Sequence, residues 1–285
     1  MVLRPDWAAG EEEGIKAGSG PCPRIGGQWL ARRDRKMKQN DDESSTWAHE
    51  SRGEDSALHR LHEWDADWAE KYLKVSSNPW TNGILTVKEC ELIGIAISVA
   101  CTNLQPDATR RHIRAALSAG ATRDEILELI KMGAALAIHS CSVGAPILLE
   151  EAKAADIKPA NRGQGQPTPF CDQMRAIGQW NTAWDPFFEL DPVWTDQFFA
   201  IGAAIYQRGV FTPKFTELLS IAYDASFTHM YAPGTRRHIK SALKLGATME
   251  EIMEVLKLCV AAGVEACHLA VPILAEELER AGRRK

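Results

Sequence analysis

A constant internal offset constrains this 285-residue sequence more than any other feature. The segment TRRHI occurs at 109–113 and again at 235–239, and the same 126-position separation relates Thr86 to Thr212, Glu91 to Glu217 and Pro146 to Pro272. One offset without a gap relates residues 64–152 to residues 190–278. Chance does not hold one offset over roughly 90 residues, so the chain is a tandem duplication.

The repeated unit has the pattern of amphipathic helices, and no alternating strand pattern of useful length is present. The first helix is expected to begin near Leu58, and Gly120 and Gly246 are expected to end later helices by adopting left-handed geometry. Pro146 and Pro272 are expected to break or restart the last helix of each repeat. Threonine marks four helix starts, three as capping boxes and one by a following proline: Thr86, Thr122, Thr248 and Thr212. The predicted fold class is therefore all-α.

The predicted organisation has four parts. Residues 1–55 are rich in Gly, Glu, Arg, Asp and Ser and are expected to form a disordered tail, because they cannot bury enough apolar surface. Residues 56–155 form the first helical repeat, residues 156–180 a linker and residues 181–285 the second repeat. The basic run at 31–38 belongs to the tail and is expected to be solvated.

Charge and hydropathy exclude several partners. The formal net charge of −5 gives no general attraction to nucleic acid or anionic membranes. The apolar runs are too short to predict a membrane span, and the N-terminus lacks the apolar core of a signal peptide. A cytoplasmic location is therefore expected.

The seven cysteines are scattered and contain no C-x-x-C pair, so they predict neither a disulfide framework nor a zinc ribbon. Most are expected to be small buried residues. His59 and His62 are three residues apart and could share a metal, but such a pair on an amphipathic helix is more often exposed to solvent. No metal site is predicted.

Two stretches resemble the carboxymuconolactone decarboxylase family, which shares its fold with alkylhydroperoxidase D. They are KECELI followed by RRHIRAALSAGATRDEI in the first repeat, and KFTELL followed by RRHIKSALKLGATMEEI in the second. The endings GAPILLEEA and AVPILAEEL are similar to the family's Gly-x-Pro-Ala segment. The resemblance implies an all-helical unit that assembles into rings, so a homo-oligomer resembling a trimeric ring of tandem chains is expected.

The resemblance also implies two chemistries. Alkylhydroperoxidase D members use a C-x-x-C pair shortly before the histidine, whereas the stretches here are CTNLQPDATRRH and FTHMYAPGTRRH, in which Cys101 has no partner. A dithiol mechanism requires an attacking and a resolving thiol. Carboxy-lyase chemistry on a small carboxylated or lactone substrate, without a cofactor, is therefore favoured over hydroperoxide reduction. A non-catalytic, ring-forming binding or scaffold protein remains the third interpretation.

Each repeat offers one acid–base pair, Glu91 with His112 and Glu217 with His238. Histidine is the natural general acid or base near neutral pH, and a glutamate on the preceding helix can orient its ring. Arginine suits carboxylate binding, and successive helical residues point about 100° apart. One arginine per repeat is therefore expected near the histidine, Arg111 and Arg237, while Arg110 and Arg236 point away. The alternative is a purely structural polar network between helices.

A second cluster lies on the last helix of the second repeat, where Glu265, Cys267 and His268 are close in sequence. The 126 offset places His139, Cys141 and Ser142 opposite them. Cys267 and His268 are candidate substrate-binding residues. His268 is not expected to activate Cys267, because consecutive helical residues face different directions.

Overall fold

The computed structural model describes residues 57–160, 163–177 and 180–282, and within these ranges the regular secondary structure is helical, with no strand. The predicted disordered tail at 1–55 lies outside the described residues. The all-α prediction is confirmed. Seven α-helices form the first repeat: α1 (Ala57–Trp64), α2 (Ala66–Ser76), α3 (Asn78–Thr81), α4 (Val87–Val99), α5 (Pro106–Ser118), α6 (Arg123–Ala135) and α7 (His139–Ala154).

Seven more α-helices follow in the rest of the described chain. They are α8 (Pro169–Ala176), α9 (Asp185–Leu190), α10 (Pro192–Tyr206), α11 (Pro213–Ala225), α12 (Ala232–Lys244), α13 (Met249–Ala261) and α14 (Glu265–Gly282). Short 3₁₀ turns at Leu136–Ile138 and Ala262–Val264 join α6 to α7 and α13 to α14. The helices α4 to α7 and α11 to α14 correspond through the 126 offset.

The threonines predicted to begin helices do so. Thr86 Oγ1 accepts from the Glu89 amide at 3.2 Å, while Glu89 Oε2 accepts from the Thr86 amide at 2.8 Å, which completes a capping box. Each cap satisfies amide groups that have no partner within the helix. An N-cap not anticipated from the sequence is Asp65, whose Oδ1 accepts from the Trp68 amide at 3.1 Å. It starts α2 and so divides the helix expected to run on from Leu58.

The prediction that Pro146 and Pro272 break the last helix of each repeat is wrong. Both lie inside helices, α7 and α14, and the interruption comes earlier, at the two 3₁₀ turns. A proline removes one hydrogen bond from the helix, to the residue four positions before it. The loss of that one bond does not end either helix.

The two repeats are interleaved around one core. The helices α4 and α11 pack against each other, while α14 packs against α1 and α7 packs against α9, so the last helix of each repeat contacts the start of the other. Ile93 and Ile95 of α4 are buried in the same cluster as Leu219 and Ile221 of α11. Each such side chain contributes about 1.5–3 kcal/mol through burial. The hydroxyls of Thr102 and Thr228, related by the offset, lie 3.3 Å apart.

Part of the segment predicted as a linker is helical. The helix α8 packs against α10, and its Cys171 is fully buried beside Phe187 and Phe199. The Cys171 amide donates to Asp196 Oδ1 at 2.8 Å. Because this helix buries apolar surface against the second repeat, it is part of the folded body rather than a flexible spacer.

Two nearly continuous helical stretches, Arg123–Ala154 and Met249–Gly282, are long and apolar enough to cross a membrane. These stretches are longer than the uninterrupted apolar runs of the sequence, because polar and charged residues divide those runs. Length and apolarity alone do not make a helix membrane-spanning, since core and interface helices share both. Exposed apolar side chains recur at equivalent positions of the two stretches: Val143 and Leu269, Ile147 and Ile273, and Leu148 and Leu274.

Candidate active sites

Each repeat brings its predicted Glu–His pair into direct contact. His112 Nδ1 lies 2.8 Å from Glu91 Oε2, and His238 Nδ1 lies 2.6 Å from Glu217 Oε2. The glutamates come from α4 and α11, and the histidines from the helices that follow them. A carboxylate only accepts hydrogen bonds, so in both pairs Nδ1 donates and Nε2 is the nitrogen left for other partners.

Neighbouring residues hold both members of the first pair in place. Glu91 is fully buried, and its Oε1 accepts from Trp80 Nε1 at 2.8 Å. The His112 ring lies against the backbone of α4 at Gly94, where an added Cβ would come within 2.5 Å of Nδ1. The glycine therefore creates the space that the imidazole occupies. In the second repeat the equivalent residue is Ser220, whose hydroxyl donates to the Thr216 carbonyl at 2.9 Å.

A narrow cleft of about 20 Å³ that opens to solvent lies beside His112. His112 and Arg111 line it from the first repeat, while Val264 and Glu265 line it from the second. Arg111 forms an ion pair with Glu265. As expected from the helical spacing, Arg110 is exposed and does not line the cleft within the described chain.

The second pair has different surroundings. Arg237 Nη2 lies 2.9 Å from His238 Nε2, and Asp224 Oδ2 lies 3.7 Å from the same nitrogen. His139, at the start of α7 in the first repeat, places its Nδ1 2.6 Å from His229 Nε2 and 3.6 Å from Asp224 Oδ1. The second site therefore contains three histidines and a buried aspartate, drawn from both repeats.

Burial shifts the pKa of three groups at the second site, Asp224, His139 and His229. It raises the pKa of Asp224 to about 6, against the opposing effect of His238 and Arg237. Burial also lowers the pKa of His139 to about 3, and the nearby His229 and Arg237 lower it further. Near neutral pH, His139 is therefore uncharged while Asp224 is mostly ionised.

The predicted cluster on the last helix is split. Glu265 joins the first site through Arg111, whereas the cleft is lined by described residues that include neither Cys267 nor His268. Cys267 packs against the small apolar cluster around Leu58 and Val264. Burial raises the pKa of its thiol, which disfavours the thiolate that a nucleophile requires.

The sequence did not reveal the roles of Asp224 and His229. The 126 offset relates both positions to the first repeat, where the residues are Ser98 and Asn103. These exchanges of neutral residues for an acid and a histidine are the signal that could have identified them. His59 and His62, by contrast, lie half-exposed beside Glu63 and Glu70 and do not join either site.

The fold and the two Glu–His pairs define a tandem all-helical protein with two related sites. A model of the carboxymuconolactone decarboxylase family matches residues 66–139 and again residues 192–276, together more than half of the chain. The chain therefore belongs to the carboxymuconolactone decarboxylase family, as its sequence resemblance indicated.

The fold is similar to the crystal structure of a protein assigned as a gamma-carboxymuconolactone decarboxylase subunit from Burkholderia xenovorans LB400, with a TM-score of 0.72 and 31% sequence identity. The match covers 79% of this chain and 91% of the other. A search of curated proteins finds no significant match.

Proposed function

We propose that this protein is a carboxy-lyase that acts on a small carboxylated or lactone substrate at the first site, with His112 as the acid–base group. The observation that carries the proposal is the position of His112, which binds the buried Glu91 through Nδ1 and lines the cleft together with Arg111. Family membership and the similarity to a decarboxylase subunit support the same reaction class.

In the proposed reaction, the bond between the substrate carboxylate and its carbon breaks and CO₂ leaves. The electron pair moves onto the substrate's own carbonyl, so an enolate-like charge develops and no cofactor is required. Arg111 releases Glu265 and binds the anionic substrate in its place, which orients the substrate. A protonated His112, held by Glu91, transfers its Nε2 proton to the carbon and regains a proton from solvent.

The second pair, Glu217 with His238, has the same internal geometry and is the alternative location for the reaction. Arg237 beside it forms no ion pair within 4 Å among the described residues, so it is available to a carboxylate. We assign the reaction to the first site because the described cleft lies there.

We further propose that the protein forms a ring-like homo-oligomer in the cytoplasm. The exposed apolar residues repeated along α7 and α14 support self-association. The similar protein from Burkholderia xenovorans is described as a subunit, which is consistent with such an assembly.

The test compares His112→Ala, His238→Ala and the double variant in decarboxylation of gamma-carboxymuconolactone, followed by CO₂ release. Loss of an acid–base group typically lowers a rate by about 10²–10⁴-fold, and we expect this for His112→Ala but not for His238→Ala. Melting temperature and assembly state are measured in parallel. A fully active, folded His112→Ala would refute the assignment, and activity that falls only with the amount of folded protein would indicate a structural network.

A further inference from the structure

Three side chains with metal-binding atoms converge beside His238: His139, Asp224 and His229. One ligand atom from each lies within 4.8 Å of the other two. His139 begins α7, Asp224 lies near the end of α11, and His229 belongs to the turn that follows α11. The cluster exists only because the two repeats interleave. It lies in the second site, so it is independent of the carboxy-lyase reaction proposed for the first.

One oxygen of the Asp224 carboxylate is buried without a hydrogen bond in the part of the chain that the structure describes. The Asp224 side chain is 2% exposed, and this oxygen is Oδ2. His139 Nδ1 lies 3.6 Å from Oδ1 and His238 Nε2 lies 3.7 Å from Oδ2, both too far for a hydrogen bond. The carboxylate lies against Gly234, where a Cβ would come within 1.8 Å of Oδ2. A buried, incompletely paired carboxylate is costly, and a bound cation would compensate it.

The first repeat provides an internal comparison. Its turn has the same backbone form: Gln105 donates its amide to the Ser98 carbonyl, as Tyr231 does to the Asp224 carbonyl. There, however, the side chains are satisfied locally, since Ser98 Oγ donates to the Gly94 carbonyl and Asn103 Nδ2 donates to the Ile97 carbonyl. The turn therefore folds without an acid or a histidine, and these residues in the second repeat serve something other than the turn.

The two imidazoles are suited to ligation. A neutral imidazole offers a nitrogen lone pair to a metal, and one ring nitrogen of each histidine faces the cluster. The Tyr231 ring stacks on His139 with the ring centres 3.9 Å apart, which fixes its orientation. The 2.6 Å between His139 Nδ1 and His229 Nε2 must open to roughly 3 Å or more around one ion, and His229 lies on a turn that can supply this movement.

We propose that His139, Asp224 and His229 form a binding site for a divalent first-row transition ion such as Zn²⁺. Two imidazole nitrogens and one carboxylate oxygen are a donor set that such ions favour, with further positions open to water or an anionic ligand. His238, oriented by Glu217, borders the ion and would act on whatever occupies those open positions.

The experiment uses the full chain, first stripped with a chelator and then titrated with Zn²⁺ by calorimetry and with Co²⁺ by visible absorption. We expect one saturable ion per chain. His229→Asn and Asp224→Ser place the first repeat's residues in the second repeat, and each should weaken binding by at least about 100-fold, since even the loss of a ligand's supporting partner costs about 10–100-fold. His62→Ala removes an exposed histidine, and His112→Ala removes the histidine of the first site. Both should bind as the unmodified chain does.

A second measurement does not depend on variants that fold. Zn²⁺ should shift the imidazole nitrogen resonances of His139 and His229 in the unmodified chain and leave those of His112 unchanged. The absence of saturable binding would overturn the proposal and leave a hydrogen-bonded histidine pair only. Equal affinity in His229→Asn, or shifts confined to other histidines, would overturn it as well.

Discussion

His139 and Glu265 occupy equivalent positions at the start of the last helix of each repeat, yet each lies in the site of the other repeat. Glu265 pairs with Arg111 beside His112, while His139 contacts His229 and Asp224 beside His238. Neither site is complete within its own half of the sequence. The exchange at this duplicated position, together with Asp224 and His229 in place of Ser98 and Asn103, gives the two sites different surroundings, an ion pair in one and a histidine cluster in the other.

Gly94→Ala should disable the first site. The added methyl group would meet the His112 ring at about 2.5 Å, so the ring must leave its position against α4 or the helix must shift. We expect loss of turnover together with about 1–3 kcal/mol of destabilisation, measured by denaturant unfolding. Gly144→Ala on α7 is the control, because a Cβ there meets nothing within 4 Å. It should leave turnover unchanged and be neutral or slightly stabilising.

Arg111→Ala should mainly weaken binding of a carboxylated substrate, because the guanidinium lines the cleft beside His112. We expect KM to rise by about 10-fold or more, in line with the loss of a hydrogen bond to a charged group. Arg110→Ala, at an exposed neighbouring position, is the matched control and should leave KM unchanged. Equal effects of the two changes on steady-state kinetics would show that Arg111 has no special contact with substrate.

Leu148→Glu and Leu274→Glu should dissociate the expected oligomer. Both positions are at least half exposed in the single chain and belong to the apolar surface repeated along α7 and α14. A charge placed in a buried apolar interface is costly. Light scattering should show a change toward the 31.5 kDa mass of one chain, whereas Gln173→Glu, which adds the same charge on α8, should keep the larger mass. A single-chain mass for the unmodified protein at micromolar concentration would contradict the ring assembly.

Cys101→Ser should leave any turnover of hydroperoxides nearly unchanged. Cys101 is exposed, but no second cysteine stands at the spacing that a resolving thiol requires. The measurement is a thiol-dependent peroxidase assay on the two proteins at equal concentration. A peroxidase rate that disappears with this one change would reverse the order of the two enzyme activities considered for this chain.

Local rules predicted several elements of this fold correctly. Capping boxes such as Thr86 with Glu89 mark helix starts because the hydrogen bonds that satisfy a helix end form within about four residues. The pairing of Glu91 with His112 also followed from the sequence, because the family resemblance identified both residues and the duplication repeated them. Pro146 was misjudged by the same local reasoning, since the cost of one lost hydrogen bond depends on the packing and hydration around it.

The duplication and the helical class were determined by the sequence itself, because a constant offset and helix caps can be recognised from neighbouring residues, while the two Glu–His pairs followed from the family resemblance. Only the tertiary structure decided that the repeats interleave, that Glu265 faces Arg111, and that His139 meets Asp224 and His229. These contacts join residues about 85 to 154 positions apart. They depend on which apolar helix faces pack together, and hydrophobic burial is non-directional, so no short-range pattern specifies them.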